Sequence, residues 1–73
     1  MAKRLKAVIK GWHFAEGDFQ YYVGANTAEK ARTYLARHAA AAAQTTPRPL
    51  PISVVRFFGL KEGSIVVGRV LER

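Results

Sequence analysis

The chain has 73 residues and a formal net charge of +7, because 12 Lys and Arg residues stand against only 5 Asp and Glu residues. This length leaves room for one domain, residues 1–73, with one small core, and a hydrophobic fraction of 49% argues against wholesale disorder. The excess charge favours a polyanionic partner, nucleic acid first and an anionic membrane or acidic protein second, although a basic surface can also serve solubility alone.

Several classes of protein are disfavoured by what the sequence lacks. It has no cysteine, so neither a disulfide nor a thiolate metal site can form. No apolar run approaches the ~20 residues needed to cross a bilayer. The basic start Met-Ala-Lys-Arg-Leu-Lys leads into an alternating pattern and lacks the apolar stretch of a secretory signal. A cytoplasmic protein without a membrane partner is therefore expected.

Two strands, over residues 3–14 and 18–25, are predicted to form a hairpin around the turn Ala15-Glu16-Gly17. Alternate residues of a strand point to opposite faces. One face of the first strand is apolar and is assigned to the core, with Leu5, Ala7, Ile9 and Gly11. The other face mixes cations with rings and is assigned to the surface, with Arg4, Lys6, Val8, Lys10, Trp12 and Phe14.

The cationic and aromatic face of the first strand is the strongest functional signal in the sequence. Ammonium and guanidinium groups contact phosphates, and exposed rings stack on unpaired bases. The predicted binding residues are Arg4, Lys6, Lys10 and Trp12, joined by Tyr22 and, depending on strand register, by Arg56 or Arg69. The alternative is structural, since Trp12 and Phe14 can close a second apolar layer or a dimer interface under the lysine stems.

A helix is predicted to begin at Asn26-Thr27-Ala28-Glu29, where the Asn side chain can cap the first amides and Glu29 can reach back. It is expected to run to about Gln44 and to pack on the sheet through a stripe at helical spacing. The stripe contains Ala28, Ala31, Leu35, Ala39 and Ala42, with Tyr34 and His38 beside it. The proline-rich segment 45–51 then ends the helix and is predicted to be an extended linker.

A second strand pair is predicted over residues 52–60 and 64–71, around the turn Lys61-Glu62-Gly63. Strand alternation fails here, because large apolar residues stand side by side in the sequence. These neighbours are Val54 and Val55, Phe57 and Phe58, and Val66 and Val67. The predicted fold is α+β with the order ββαββ, an antiparallel sheet with a single helix packed on one face. One helix covers only one face, so a homodimer is expected through the other face or through an edge strand.

Catalytic groups are sparse. His13 and His38 are separated by a turn, a strand and most of a helix, so no nucleophile-base pair or metal site emerges. Glu16 and Asp18 lie at the hairpin turn, where carboxylates normally serve solvation and turn formation. No catalytic residue, metal ligand or cofactor is predicted, and the protein is expected not to be an enzyme.

The layout of hairpin, capped helix and second hairpin, with the junction Tyr22-Val23-Gly24-Ala25-Asn26-Thr27-Ala28-Glu29-Lys30-Ala31-Arg32, resembles that of small phage-encoded inhibitors, among them some anti-CRISPR proteins. The resemblance spans most of the chain as a pattern of elements, and it implies a stoichiometric inhibitor that blocks a nucleoprotein surface without an active site.

The sequence leaves two functional hypotheses. One is a small basic module that binds nucleic acid or a nucleoprotein surface; the other is a phage or mobile-element inhibitor that uses the same face against a protein partner.

Overall fold

The computed structural model describes residues 9–69. This part of the chain is a mixed α+β domain with a four-stranded antiparallel sheet and three short helices. In chain order the elements are β1 Gly11–Glu16, β2 Phe19–Gly24, α1 Ala28–Ala36, α2 Ala40–Ala43, β3 Arg48–Pro49, α3 Ile52–Phe58 and β4 Ile65–Arg69. The α+β class and the antiparallel sheet are confirmed, whereas the single helix and the ββαββ order are wrong.

The N-terminal hairpin is confirmed within the described residues. Glu16 and Phe19 are paired across it, so the turn is Gly17-Asp18 and lies slightly later in the chain than expected. The strand predicted over 64–71 is present as β4. Residues 3–8 of the first predicted strand and residues 70–71 of the last lie outside the described residues.

The predicted long helix is divided into α1 and α2. Thr27, one residue later than the Asn26 cap expected, accepts a hydrogen bond from the Lys30 amide through its Oγ1 at 3.1 Å. The chain leaves helical geometry at Ala39, where φ is −148° and ψ is 87°. This break redirects the alanine run so that Ala42 and Ala43 enter the core with 0% and 2% exposure. An alanine run favours a helix locally, but close packing on the sheet determines where that helix bends.

The segment 52–60 was predicted to be a strand, and that prediction is wrong because it contains the helix α3. Pro51 occupies the N-cap position, and Gly59 ends the helix with φ of 64°, a left-handed conformation that glycine adopts without steric cost. The Leu60 amide donates to the Val55 carbonyl at 3.0 Å and completes the helix end. The apolar residues that failed to alternate as a strand are divided around this helix: Val55 is buried, Val54 and Phe58 are partly buried, and Ile52 and Phe57 are exposed.

The sheet has the strand order β3-β1-β2-β4, and helices pack on both of its faces. The face covered by α1 and α2, here called the helix-pair face, carries the main core: Phe14, Tyr21, Val23, Ala25, Ala31, Leu35, Ala42 and Ala43. The opposite face, here called the α3 face, is covered at one end by α3. There a Cβ added to Gly11 would lie about 3 Å or less from side-chain atoms of Val55, Leu50 and Leu60.

Two paired glycines allow α3 and the turn after it to lie directly on the sheet. Gly11 and Gly24 are opposite each other in the register of β1 and β2. A Cβ added to Gly24 would overlap the Lys61 carbonyl oxygen. Because that atom belongs to the backbone, it cannot rotate away as a flexible side chain could. The absence of side chains at this pair therefore positions α3 relative to the strands.

Candidate nucleic-acid interface

The structure separates the binding residues that the sequence grouped together. Lys10 is exposed just before β1, and Arg56 is exposed on α3. Trp12 is paired opposite Val23, the residue after Tyr22 on β2. Successive side chains of a strand point to opposite faces, so Trp12 and Tyr22 lie on opposite faces of the sheet. Arg4 and Lys6 lie outside the described residues. Trp12 and Tyr22 therefore belong to different surfaces and cannot stack on the same base.

Trp12 packs at the edge of the main core on the helix-pair face. It is half-buried against the main core, and its Nε1 donates a hydrogen bond to the Ala25 carbonyl at 3.0 Å. Phe14, two residues along the same face, is fully buried. The assignment of the Phe14 face to the surface is wrong, because α1 and α2 pack on it.

Four rings follow one another from the sheet to the end of α3, and we call them the aromatic row: His13, Tyr22, Phe58 and Phe57. The ring centroids of His13 and Tyr22 are 5.2 Å apart across β1 and β2. Tyr22 stacks on Phe58 with a centroid distance of 4.8 Å, and Phe58 meets Phe57 edge-on at 5.3 Å. Phe57 is 82% exposed. The row thus begins on the sheet and ends in solvent.

Gln20 orients the sheet end of the aromatic row. Its Oε1 accepts a hydrogen bond from the Tyr22 hydroxyl at 3.1 Å and lies 2.9 Å from Nε2 of His13. A carboxamide oxygen can only accept, so the contact is a hydrogen bond when Nε2 of His13 carries a proton. One side chain therefore holds two rings in place.

Cations flank the aromatic row. Arg48 on β3 is paired opposite His13, and Arg56 directly precedes Phe57 on α3; both are exposed. The acidic residues between positions 9 and 69 are Glu16, Asp18, Glu29 and Glu62. None of the strand residues that the register places on the α3 face is acidic, and Glu62, in the turn after α3, accepts hydrogen bonds from Tyr34 and from the Asn26 amide. The strand surface that carries the rings is therefore cationic at Arg48.

A second polar cluster connects α1 to the turn between α3 and β4. The Tyr34 hydroxyl donates to Glu62 Oε2 at 2.7 Å, and the Asn26 amide donates to Glu62 Oε1 at 3.2 Å. The hydrogen bond to Glu62 raises the pKa of Tyr34, with smaller upward contributions from desolvation and from the Glu62 charge. The cluster ties two elements together and is separate from the aromatic row.

The described part of the chain was searched for metal-holding clusters and for membrane-spanning helices. Within residues 9–69, no group of three or more His, Cys, Asp or Glu side chains could hold a metal ion. The helices in this range are too short or too polar to pass through a lipid bilayer.

Sequence reasoning missed most of the aromatic row. It assigned His13 to a strand end without a role and placed Phe57 and Phe58 in a strand. Pro51 and Gly59, at the two ends of the segment, are the signals that could have identified a helix with adjacent rings at its C-terminal end. The contact of those rings with Tyr22 depends on the packing of α3 and has no local signal.

Comparison with protein-family models, curated proteins and solved structures found no match to this chain. Function is therefore inferred from the geometry and charge of the α3 face.

Proposed function

We propose that this protein is a small non-catalytic module that binds nucleic acid through the α3 face. The observation that carries the proposal is the aromatic row, which ends in the exposed ring of Phe57 and is flanked by Arg48 and Arg56. Guanidinium groups neutralise phosphates, and rings offer flat apolar surface to bases. The net charge of +7 adds a long-range attraction for polyanions.

The position of the cations favours nucleic acid over a generic basic surface. Arg48 and Arg56 lie at the β3 and α3 sides of the same row of rings, whereas solubility alone would need no such grouping. A strand of nucleic acid carries both phosphates and bases, so a face that combines arginines with a row of rings is complementary to it. Of the residues chosen from the sequence, Tyr22 and Arg56 belong to this face.

The second candidate function is an inhibitor that blocks a nucleic-acid-binding protein through the same face. The observation that favours it is the apolar character of the exposed side of α3, where Ile52 is 52% and Phe57 82% exposed. Exposed aliphatic and aromatic side chains on one short helix suit a protein interface. This candidate agrees with the function that the resemblance to small phage inhibitors implies.

Two variants that each lose one positive charge, on opposite faces of the sheet, test the proposal. Binding of a labelled oligonucleotide is measured by fluorescence anisotropy over a series of salt concentrations, for the parent protein, Arg56→Gln and Arg37→Gln. Arg37 is an exposed arginine at the end of α1, which packs on the opposite face. We expect Arg56→Gln to weaken binding and to reduce the slope of log K against log salt by about 1. Arg37→Gln should leave that slope unchanged.

Absence of binding at low salt would overturn the nucleic-acid proposal. The inhibitor candidate is then tested by capture of partners from a nuclease-treated host lysate, with Phe57→Ser as the matched control. A protein partner that the parent retains and Phe57→Ser loses would support that candidate.

A further inference from the structure

Phe57 is the most exposed of the large apolar side chains between residues 9 and 69, and its ring contacts a second ring. It is 82% exposed, yet its ring meets the edge of Phe58 at a centroid distance of 5.3 Å and an interplanar angle of 75°. Phe58 stacks on Tyr22, and Tyr22 is hydrogen-bonded to Gln20 on the sheet. A ring held in this way loses little conformational freedom when a ligand covers it.

The ring of Phe57 suits a base better than a phosphate. The ring is an exposed, uncharged apolar surface, whereas a phosphate is bound by cations and hydrogen-bond donors. Arg56, one residue earlier, is the basic residue of the last turn of α3 and is exposed, and a guanidinium group neutralises a phosphate. The local chemistry therefore assigns the base to Phe57 and the phosphate to Arg56.

We infer that the substrate class is single-stranded nucleic acid, with an unpaired base stacked on Phe57 and an adjacent phosphate on Arg56. This inference rests on the proposed function and narrows it. In a duplex the flat faces of the bases are covered by their neighbours, so only phosphates and groove edges can reach a protein surface. A single strand exposes base faces, and such stacking tolerates any base because every base has a π-face. The stack contributes only to single-strand binding, whereas the arginines contribute to both.

The test compares a labelled oligonucleotide in single-stranded form with the same oligonucleotide annealed to its complement, at one low salt concentration. The variants are Phe57→Leu, which keeps an apolar side chain but removes the ring, and Phe57→Trp, which enlarges the ring. Phe19→Leu is the matched control, because Phe19 is a 41% exposed ring on the opposite face of the sheet. Since Phe57 is so exposed, neither change at this position should disturb folding, which circular dichroism checks.

We expect the parent protein to bind the single strand more tightly than the duplex. Phe57→Leu should lower single-strand affinity by about 5- to 150-fold, the range that corresponds to the loss of one stacked base. It should leave duplex affinity unchanged, and Phe57→Trp should retain single-strand binding and show quenching of the added tryptophan fluorescence. Phe19→Leu should bind both forms as the parent does.

Two results would overturn the inference while leaving nucleic-acid binding intact: equal affinity for single strand and duplex, or an equal loss for both forms in Phe57→Leu. Failure of the parent protein to bind either form at low salt would instead overturn the proposed function.

Discussion

Tyr22 on β2 and Phe58 at the end of α3 are stacked, with ring centroids 4.8 Å apart and planes inclined by 27°. This contact joins the sheet to the helix at the point where the helix ends. Phe58 in turn contacts the ring of Phe57 edge-on, so the stack connects the packing of the fold to the proposed binding surface.

The Tyr22–Phe58 stack should be measurable as a coupling energy. Aromatic pairs of this geometry contribute about 0.5–1.5 kcal/mol beyond the area they bury. We expect the double variant Tyr22→Leu with Phe58→Leu to be less destabilised than the sum of the two single variants by that amount. Urea unfolding of the four proteins checks it, and strict additivity would show that the rings do not interact.

Gly24→Ala should destabilise the protein, whereas Gly68→Ala should not. A Cβ at position 24 would overlap the Lys61 carbonyl oxygen, while one at position 68 would meet its nearest atom, Tyr22 Cε2, at an ordinary 3.7 Å. The expected loss for Gly24→Ala is about 1–3 kcal/mol, the usual cost of forced displacement in a packed region. Thermal or urea unfolding measures both, and equal stability of the two variants would contradict the close approach.

Trp12→Phe should reduce stability without changing nucleic-acid affinity. The change removes the hydrogen bond from Nε1 to the carbonyl of Ala25, a fully buried residue. Leaving that acceptor unpaired costs about 1–3 kcal/mol. Because Trp12 belongs to the helix-pair face, oligonucleotide affinity should equal that of the parent. A large affinity loss in a folded variant would restore Trp12 to the binding surface.

The Tyr34–Glu62 hydrogen bond should make stability fall at high pH. The pKa of Tyr34 is raised above its ordinary value near 10, so the folded state holds this proton more tightly than the unfolded chain does. Its contribution is fully present below pH ~10 and is lost as the pH rises through the folded pKa. Spectrophotometric titration of tyrosine checks the shift. In Glu62→Gln, one tyrosine should titrate at lower pH than in the parent, and an unchanged titration would contradict the assignment.

A homodimer remains a prediction, and the structure suggests where to test it. Phe19 and Val67 are 41% and 47% exposed on the helix-pair face, and they lie diagonally across β2 and β4. Burial of such side chains between two copies would be favourable. Sedimentation at micromolar concentration should give a dimer for the parent and a monomer for Val67→Lys. A monomeric parent would exclude the homodimer at that concentration.

Local signals in the sequence were sufficient for the N-terminal hairpin, the start of α1 near Thr27 and the last strand. Each depends on side chains close in sequence: a turn between alternating residues, or a hydroxyl that caps a helix. The segment 52–58 shows the limit of such signals. A short apolar run can be a strand or a helix. The lack of alternation in this segment did not indicate which parts of the fold would bury its apolar side chains.

The sequence by itself determined which residues share a face of each strand, because side chains alternate with period two whatever packs above them. It could not determine which face would be covered. Tertiary structure decided that Trp12 and Phe14 face α1 and α2, and that Gly11 and Gly24 leave room for α3 on the other side. The aromatic row joins rings that are far apart in sequence, so its formation depends on how α3 packs on the sheet, which no local pattern encodes.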